Sequence, residues 1–203
     1  MTSTLRAFVH GAVAMSALVL AVGACAQSSL AREIGDAGPQ AGRSFIDLAV
    51  GKSTYNTSCG SVAGLTCSRG TTSYSLTAGD MITSNLGIEL SAMNLGRADR
   101  AGGSVIARGV NLSAVGRLPL GDSLALEGKI GPTFGVTRVS AAPAAGIPSG
   151  RDSGLGLGYG VALDLDVAHG LHGSVGWEQH DFHFVGQGTS SVRNITLALG
   201  YRF

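Results

Sequence analysis

From Ser44 to the last residue, bulky apolar side chains return at every second position. "SFIDLAVGKSTY" sets Ile46, Leu48 and Val50 on one face, and "SNLGIELSAM" does the same with Leu86, Ile88 and Leu90. Val110, Leu112, Ala114 and Leu118 alternate in "RGVNLSAVGRL"; Leu124, Leu126, Ile130, Phe134 and Val136 share one parity in "SLALEGKIGPTFGVT". "GLGLGYGVALDLDVA" alternates throughout, "LHGSVGWEQHDF" carries Leu171, Val175 and Trp177, and the terminal "VRNITLALGYRF" runs from Ile195 to Phe203. With the weaker "SYSLTAG", these segments predict eight strands, since a period of two marks a sheet with two unlike faces. No stretch after residue 40 holds a helical period. The connections "GDMITSN", "PLGD" and "AHG" are short and carry the Gly and Asp of tight turns. Those around 56–72, 97–106, 138–152 and 184–191 read as longer loops. An even number of strands with alternating short and long connections predicts an all-β fold, an eight-stranded antiparallel up-and-down barrel over 44–203.

Two solvents could suit such ribbons. In a water-soluble sandwich or lipocalin-like barrel the apolar face turns inward and the other carries charge. Here the other face is mostly Gly, Ala, Ser and Thr. The charges discriminate further. With the bulky face taken as outside, Asp47, Glu89, Arg117, Glu127, Lys129, Asp164, Asp166, Glu178 and Arg202 all have inside parity. Lys52 and Arg193 have outside parity but stand at the loop ends of their strands, where long basic side chains snorkel. Hydrocarbon would enforce this sorting, because an Arg or Lys on the lipid face at mid-depth costs about 2–4 kcal/mol. A transmembrane barrel is expected. Counting up from the short turns, Asp47, Arg117, Asp166 and Arg202 should form a lower layer. Glu89, Glu127, Lys129, Asp164 and Glu178 should form a middle one, with four acids around one base. An eight-stranded barrel is just wide enough for its side chains to fill, so these charges should form a water-bridged ionic plug, either with some cation preference or, as the favoured expectation, simply satisfying one another and conducting nothing.

Composition agrees with a membrane setting. Charged residues make up 13% of the 203-residue chain, against about 25% in typical globular domains. The formal net charge is +1, which offers no field for nucleic acid. Residues 1–26, with Arg6, an apolar run and Ala24-Cys25-Ala26, read as a signal peptide, followed by a short periplasmic tail over 27–43. The run also approaches the length of a membrane-spanning helix, and "VGAC" fits a lipobox, so Cys25 is either removed or lipidated. Cys59 and Cys67 bracket "CGSVAGLTC". In an oxidising compartment a disulfide between them is expected over two free thiols.

The stretches "FIDLAVGKSTYNTSCG" with Cys67, "LSAVGRLPLGDSLALEGKIG" and "LALGYRF" resemble the OmpA-like transmembrane domains and small porin-family barrels of Gram-negative outer membranes. The resemblance covers about residues 44–203. It implies an outer-membrane location with periplasmic termini and extracellular long loops. It also implies a C-terminal insertion signal at Tyr201 and Phe203, read by the outer-membrane assembly machinery. Expected partners are outer-membrane lipid and lipopolysaccharide, with that machinery during biogenesis; no nucleic acid partner and no cofactor is expected, and the barrel should be a monomer. The expected role is structural support or surface contact, with a low-conductance pore as the alternative. An enzyme ranks third. "GLGLGYG" lacks the strand-then-helix setting of a dinucleotide loop. His180, Asp181 and His183 raise lipid-acyl hydrolysis, but no His and Ser stand two apart on one face as in the outer-membrane lipid A deacylases. No metal site is expected.

Overall fold

The computed structural model describes residues 43–57 and 64–203. The expected signal peptide, Cys25, Cys59 and the expected tail up to residue 42 lie outside the described residues, and residue 43, read as the end of the tail, opens the first strand. Eight strands follow in order: β1 Arg43–Tyr55, β2 Gly70–Met81, β3 Leu86–Arg100, β4 Gly103–Pro119, β5 Leu124–Ser140, β6 Gly150–Ala168, β7 Leu171–Phe184 and β8 Gly188–Arg202. Each pairs antiparallel with the next, and β8 returns to β1, closing the barrel. Leu48 stands opposite Leu199 at that seam. Below it, Ser44 and Phe203 exchange backbone hydrogen bonds of 3.2 and 2.9 Å. Closure leaves no sheet edge, the condition for strands to exist in hydrocarbon.

The lower part of the wall is apolar outside. Leu48 is 68% exposed, Leu155 67% and Ile195 60%, values that water would penalise and acyl chains would not. From Ile195 to Phe203, the end of the chain's last strand and the residue after it cover about 21 Å of membrane depth at ~3.4 Å per residue and ~40° of tilt, near the ~25 Å apolar band of such barrels.

The upper part departs from the expected plan. The segment 97–106, read as a long loop, is strand on both sides of a two-residue turn at Ala101 and Gly102. Both turn residues have positive φ, 48° and 72°, as a type I′ hairpin requires. The β7–β8 loop shrinks to 185–187 and the β5–β6 loop to 141–149, which holds one 3-10 turn at Pro143–Ala145. Along these extensions the polarity reverses. Tyr55, Leu95, Val105, Phe182, Phe184 and Val192 point inward and are buried, while Lys52, Arg97, Arg108, Arg138, Arg151 and Arg193 are exposed on the outside. The strands rise past the bilayer and there enclose an ordinary apolar core.

One join supports that core. β6 and β7 pair from Ala168↔Leu171 up to Gly158↔His180 and no further. Above this point β7 leans inward toward β5. The Thr137 hydroxyl of β5 donates to the His183 carbonyl at 2.5 Å. Phe182 lies over Gly135, where an added Cβ would stand 2.2 Å from its ring.

Candidate functional site: the barrel interior

Two ionic clusters stack inside the membrane-level half. The lower one begins with the β4–β5 hairpin, where Arg117 and Glu127 are direct register partners with 3.4 Å between Nη1 and Oε1. From β6, Asp164 lies 3.0 Å and Asp166 3.2 Å from the same guanidinium. Arg202 at the end of β8 reaches Asp164 at 2.7 Å, pairs closely with Asp166, and stands 3.7 Å from Glu127. Two forked cations thus share three acids, so each buried charge has a partner of opposite sign. Asp47 stands beside this group rather than in it, holding His172 Nε2 at 2.8 Å.

The upper cluster is Lys129 between Glu89, at 3.0 Å, and Glu178, at 2.6 Å. Its geometry follows from a glycine. Lys129 pairs in register with Gly160, and Gly160 with Glu178. The bare backbone at Gly160 lets the two side chains meet across a strand. A polar cavity of about 40 Å³, lined by Asp47, Glu89, Glu127, Lys129 and Glu178 among others, separates the clusters. That volume suits a few waters and no solute.

The expected layering needs one correction. Glu127 and Asp164 join the lower cluster, so the middle layer of four acids around one base does not form. Arg117 and Glu127 are register partners, and Ala162 continues their row on β6; Asp164 lies two residues nearer the short turns than Ala162, within reach of the Arg117 guanidinium. The two histidines were absent from the expected network, because at neutral pH they carry no formal charge to mark them. His180 lies above Lys129, with Nδ1 at 3.1 Å from Thr133 Oγ1 and Nε2 at 3.2 Å from Glu178. Asn111 Nδ2 donates to the same threonine at 2.8 Å. A Cβ on Gly158 would lie within 2.6 Å of His180, Asn111 and Thr133; its absence makes room for this network. Thr133, His180 and Glu178 form a hydroxyl–imidazole–carboxylate relay, the arrangement that activates a nucleophile. Thr133 is 0% exposed, so no substrate atom reaches it.

Above these polar layers the apolar core closes the mouth. The Tyr55 hydroxyl accepts from the Ala107 N–H at 3.0 Å and donates to the Gly96 carbonyl at 2.8 Å. Its ring meets Phe184 edge-on at 6.4 Å. Burial raises the phenol pKa, against the smaller opposing effect of the Ala107 hydrogen bond. Tyr201 and Phe203 face outward at the opposite end and are exposed.

The sequence profile of the outer membrane protein beta-barrel domain matches residues 17–203. No curated protein matches the sequence. Among solved structures, neisserial surface protein A aligns with a TM-score of 0.61 at 11% identity, covering 79% of this chain and 97% of its own. The outer membrane protein OprG from Pseudomonas aeruginosa aligns at 0.54 and 17% identity, covering 83% and 99%. Ail, the attachment invasion locus protein of Yersinia pestis, aligns at 0.52 and 17%, covering 79% and 98%. At such identities the likeness is one of fold.

Proposed function

The chain belongs to the outer membrane protein beta-barrel domain family, and from that premise we propose that it is a sealed, non-catalytic barrel acting in envelope support and surface contact. The observation that carries this reading is the filled interior. Two ion-pair layers, a hydrogen-bonded polar layer and an apolar core follow one another along the axis. The cavity between the two ion-pair layers measures about 40 Å³, and one against the lower layer about 10 Å³. A hydrated ion would have to cross the apolar core at the mouth, where buried polar groups and charges are costly.

The lower apolar band supports a setting in the outer membrane, with the short turns and both chain ends periplasmic and the basic upper rim outside. Tyr201 and Phe203 supply the terminal aromatics of the insertion signal, and a Cys59–Cys67 disulfide staples the β1–β2 loop. Purified full-length protein in planar bilayers is the direct test: no current above the bare membrane is expected. Discrete openings that survive changes of detergent and voltage would refute the seal and favour a low-conductance pore through the cavity beside Lys129. Non-reducing peptide mapping should recover Cys59 and Cys67 in one linked fragment.

A further inference from the structure

We propose that four arginines on the outer wall of β3–β6 form a binding site for the phosphate groups of outer-leaflet lipid, of the phosphorylated-glucosamine class. The inference rests on the orientation just proposed, with the reversed-polarity rim above the outer leaflet.

Register brings the four together. Arg138 and Arg151 are direct cross-strand partners on β5 and β6. Arg108 on β4 faces Val136, two residues from Arg138. Ile106 faces both Arg97 on β3 and Arg138 on β5. All four side chains are exposed. Directly opposed residues have Cβ atoms ~5 Å apart and diagonal ones ~7 Å, and like charges so placed destabilise a sheet. Among the described residues none of the four takes part in an ion pair; Asp99, exposed two residues from Arg97 on the same face of β3, is the one acid on that wall beside them and pairs with none of them. Asp152, next to Arg151, is half-buried on the opposite face and accepts from the Ser153 N–H at 2.8 Å. Four guanidinium groups on adjacent strands, with one carboxylate near them and no ion pair, leave a net positive patch suited to an external anion, and their forked donors match phosphate oxygens in pairs.

Depth selects the lipid source. The arginines begin where the apolar band ends. Val110 and Val136 sit directly below Arg108 and Arg138, with exposed Leu112, Phe134 and Leu155 beneath. A lipid phosphate held at this level would lay its acyl chains along those side chains. The remaining wall differs: at this height it carries Lys52 and Arg193, and the latter is engaged with Gln179 at 3.1 Å.

The test uses full-length protein in phosphatidylcholine nanodiscs, titrated with diphosphorylated lipid A or its dephosphorylated form and read by native mass spectrometry. Wild type should prefer the phosphorylated lipid by about tenfold or more, the scale of one or two charge-assisted hydrogen bonds. R138Q/R151Q should lose most of that preference, and K52Q/R193Q should keep it. Equal binding of both lipids by wild type, or equal loss in both variants, would overturn the site. Displacement of the lipid by millimolar inorganic phosphate would overturn the lipid assignment in favour of a soluble anion. Heat-modifiable migration of each variant establishes folding. Whole-cell labelling of S140C by a membrane-impermeant maleimide reports orientation separately. An unlabelled S140C overturns the outward-facing rim itself, a result distinct from failed lipid discrimination in a labelled barrel.

Discussion

Truncating Phe182 to Ala tests whether the mouth is packed as a protein core. The ring is 1% exposed and rests on Gly135 and Gly109, with its Cε1 atom 3.2 Å from where a Gly109 Cβ would be. A Phe side chain buries roughly 150–250 Å²; at ~25 cal/mol per Å², less the methyl retained and plus the cavity left, F182A should cost about 3–5 kcal/mol. Phe134 supplies an internal control. It faces outward in the apolar band at 52% exposure. Acyl chains close over the truncated site there, so F134A forgoes the cavity contribution and should cost about 1–2 kcal/mol. Both values follow from urea unfolding of the refolded barrel in lipid vesicles, read by Trp177 fluorescence, provided folding and unfolding limbs coincide. A ratio near one, or an F182A cost below about 1 kcal/mol, would mean that the rim does not enclose a core. The sealed interior would then lose its main support. If the seal is as described, F182A is also the variant in which conductance should first appear.

Three further outcomes follow, two from the interior and one from the residue after the chain's last strand. K129M removes the one lysine or arginine in contact with Glu89 and Glu178 among the described residues, leaving Glu178 only its His180 contact, and should cost about 3–5 kcal/mol; adding E89Q and E178Q should restore most of it, measured by the same urea midpoints. G158V places methyl groups where His180, Asn111 and Thr133 meet, so the heat-modifiable band of the folded barrel should disappear while G128V, with open space around it, keeps it. Deleting Phe203 should reduce the yield of assembled protein in outer-membrane fractions without changing in vitro refolding; equal loss in both assays would assign Phe203 to stability instead of recognition.

Much of the lower barrel was legible because two solvents act on one ribbon with a period of two. Leu197 and Leu199 meet lipid while Thr196 and Ala198 line the interior, and neither face tolerates the other's chemistry. The upper barrel was illegible for the same reason. Above Val50 and Ile195 the inward side becomes the apolar one. A reading that took bulky residues as outward therefore lost the alternation at Leu95, Ala98, Val105 and Ala107 and took 97–106 for a loop. Gly96, with φ of 78°, adds a bulge between Asn94 and Arg97 that shifts the parity itself. Inside, charge marked the acids and bases but not His172 and His180. Parity gave which face each charge occupies; the contacts depended on strand register and on how far arginine side chains climb, which alternation does not encode.

The reversal of polarity partway up each strand also determines how deep the molecule rides. Sinking by two residues, about 5 Å of depth, would draw Arg108 and Arg138 into the edge of the hydrocarbon, at up to about 1 kcal/mol each, and further sinking would cost more, toward about 2–4 kcal/mol each at mid-depth. Rising by the same amount would lift Ile195 and Leu155 out of it. The barrel therefore carries its own waterline, and a bilayer that is too thick or too thin must deform locally to meet it.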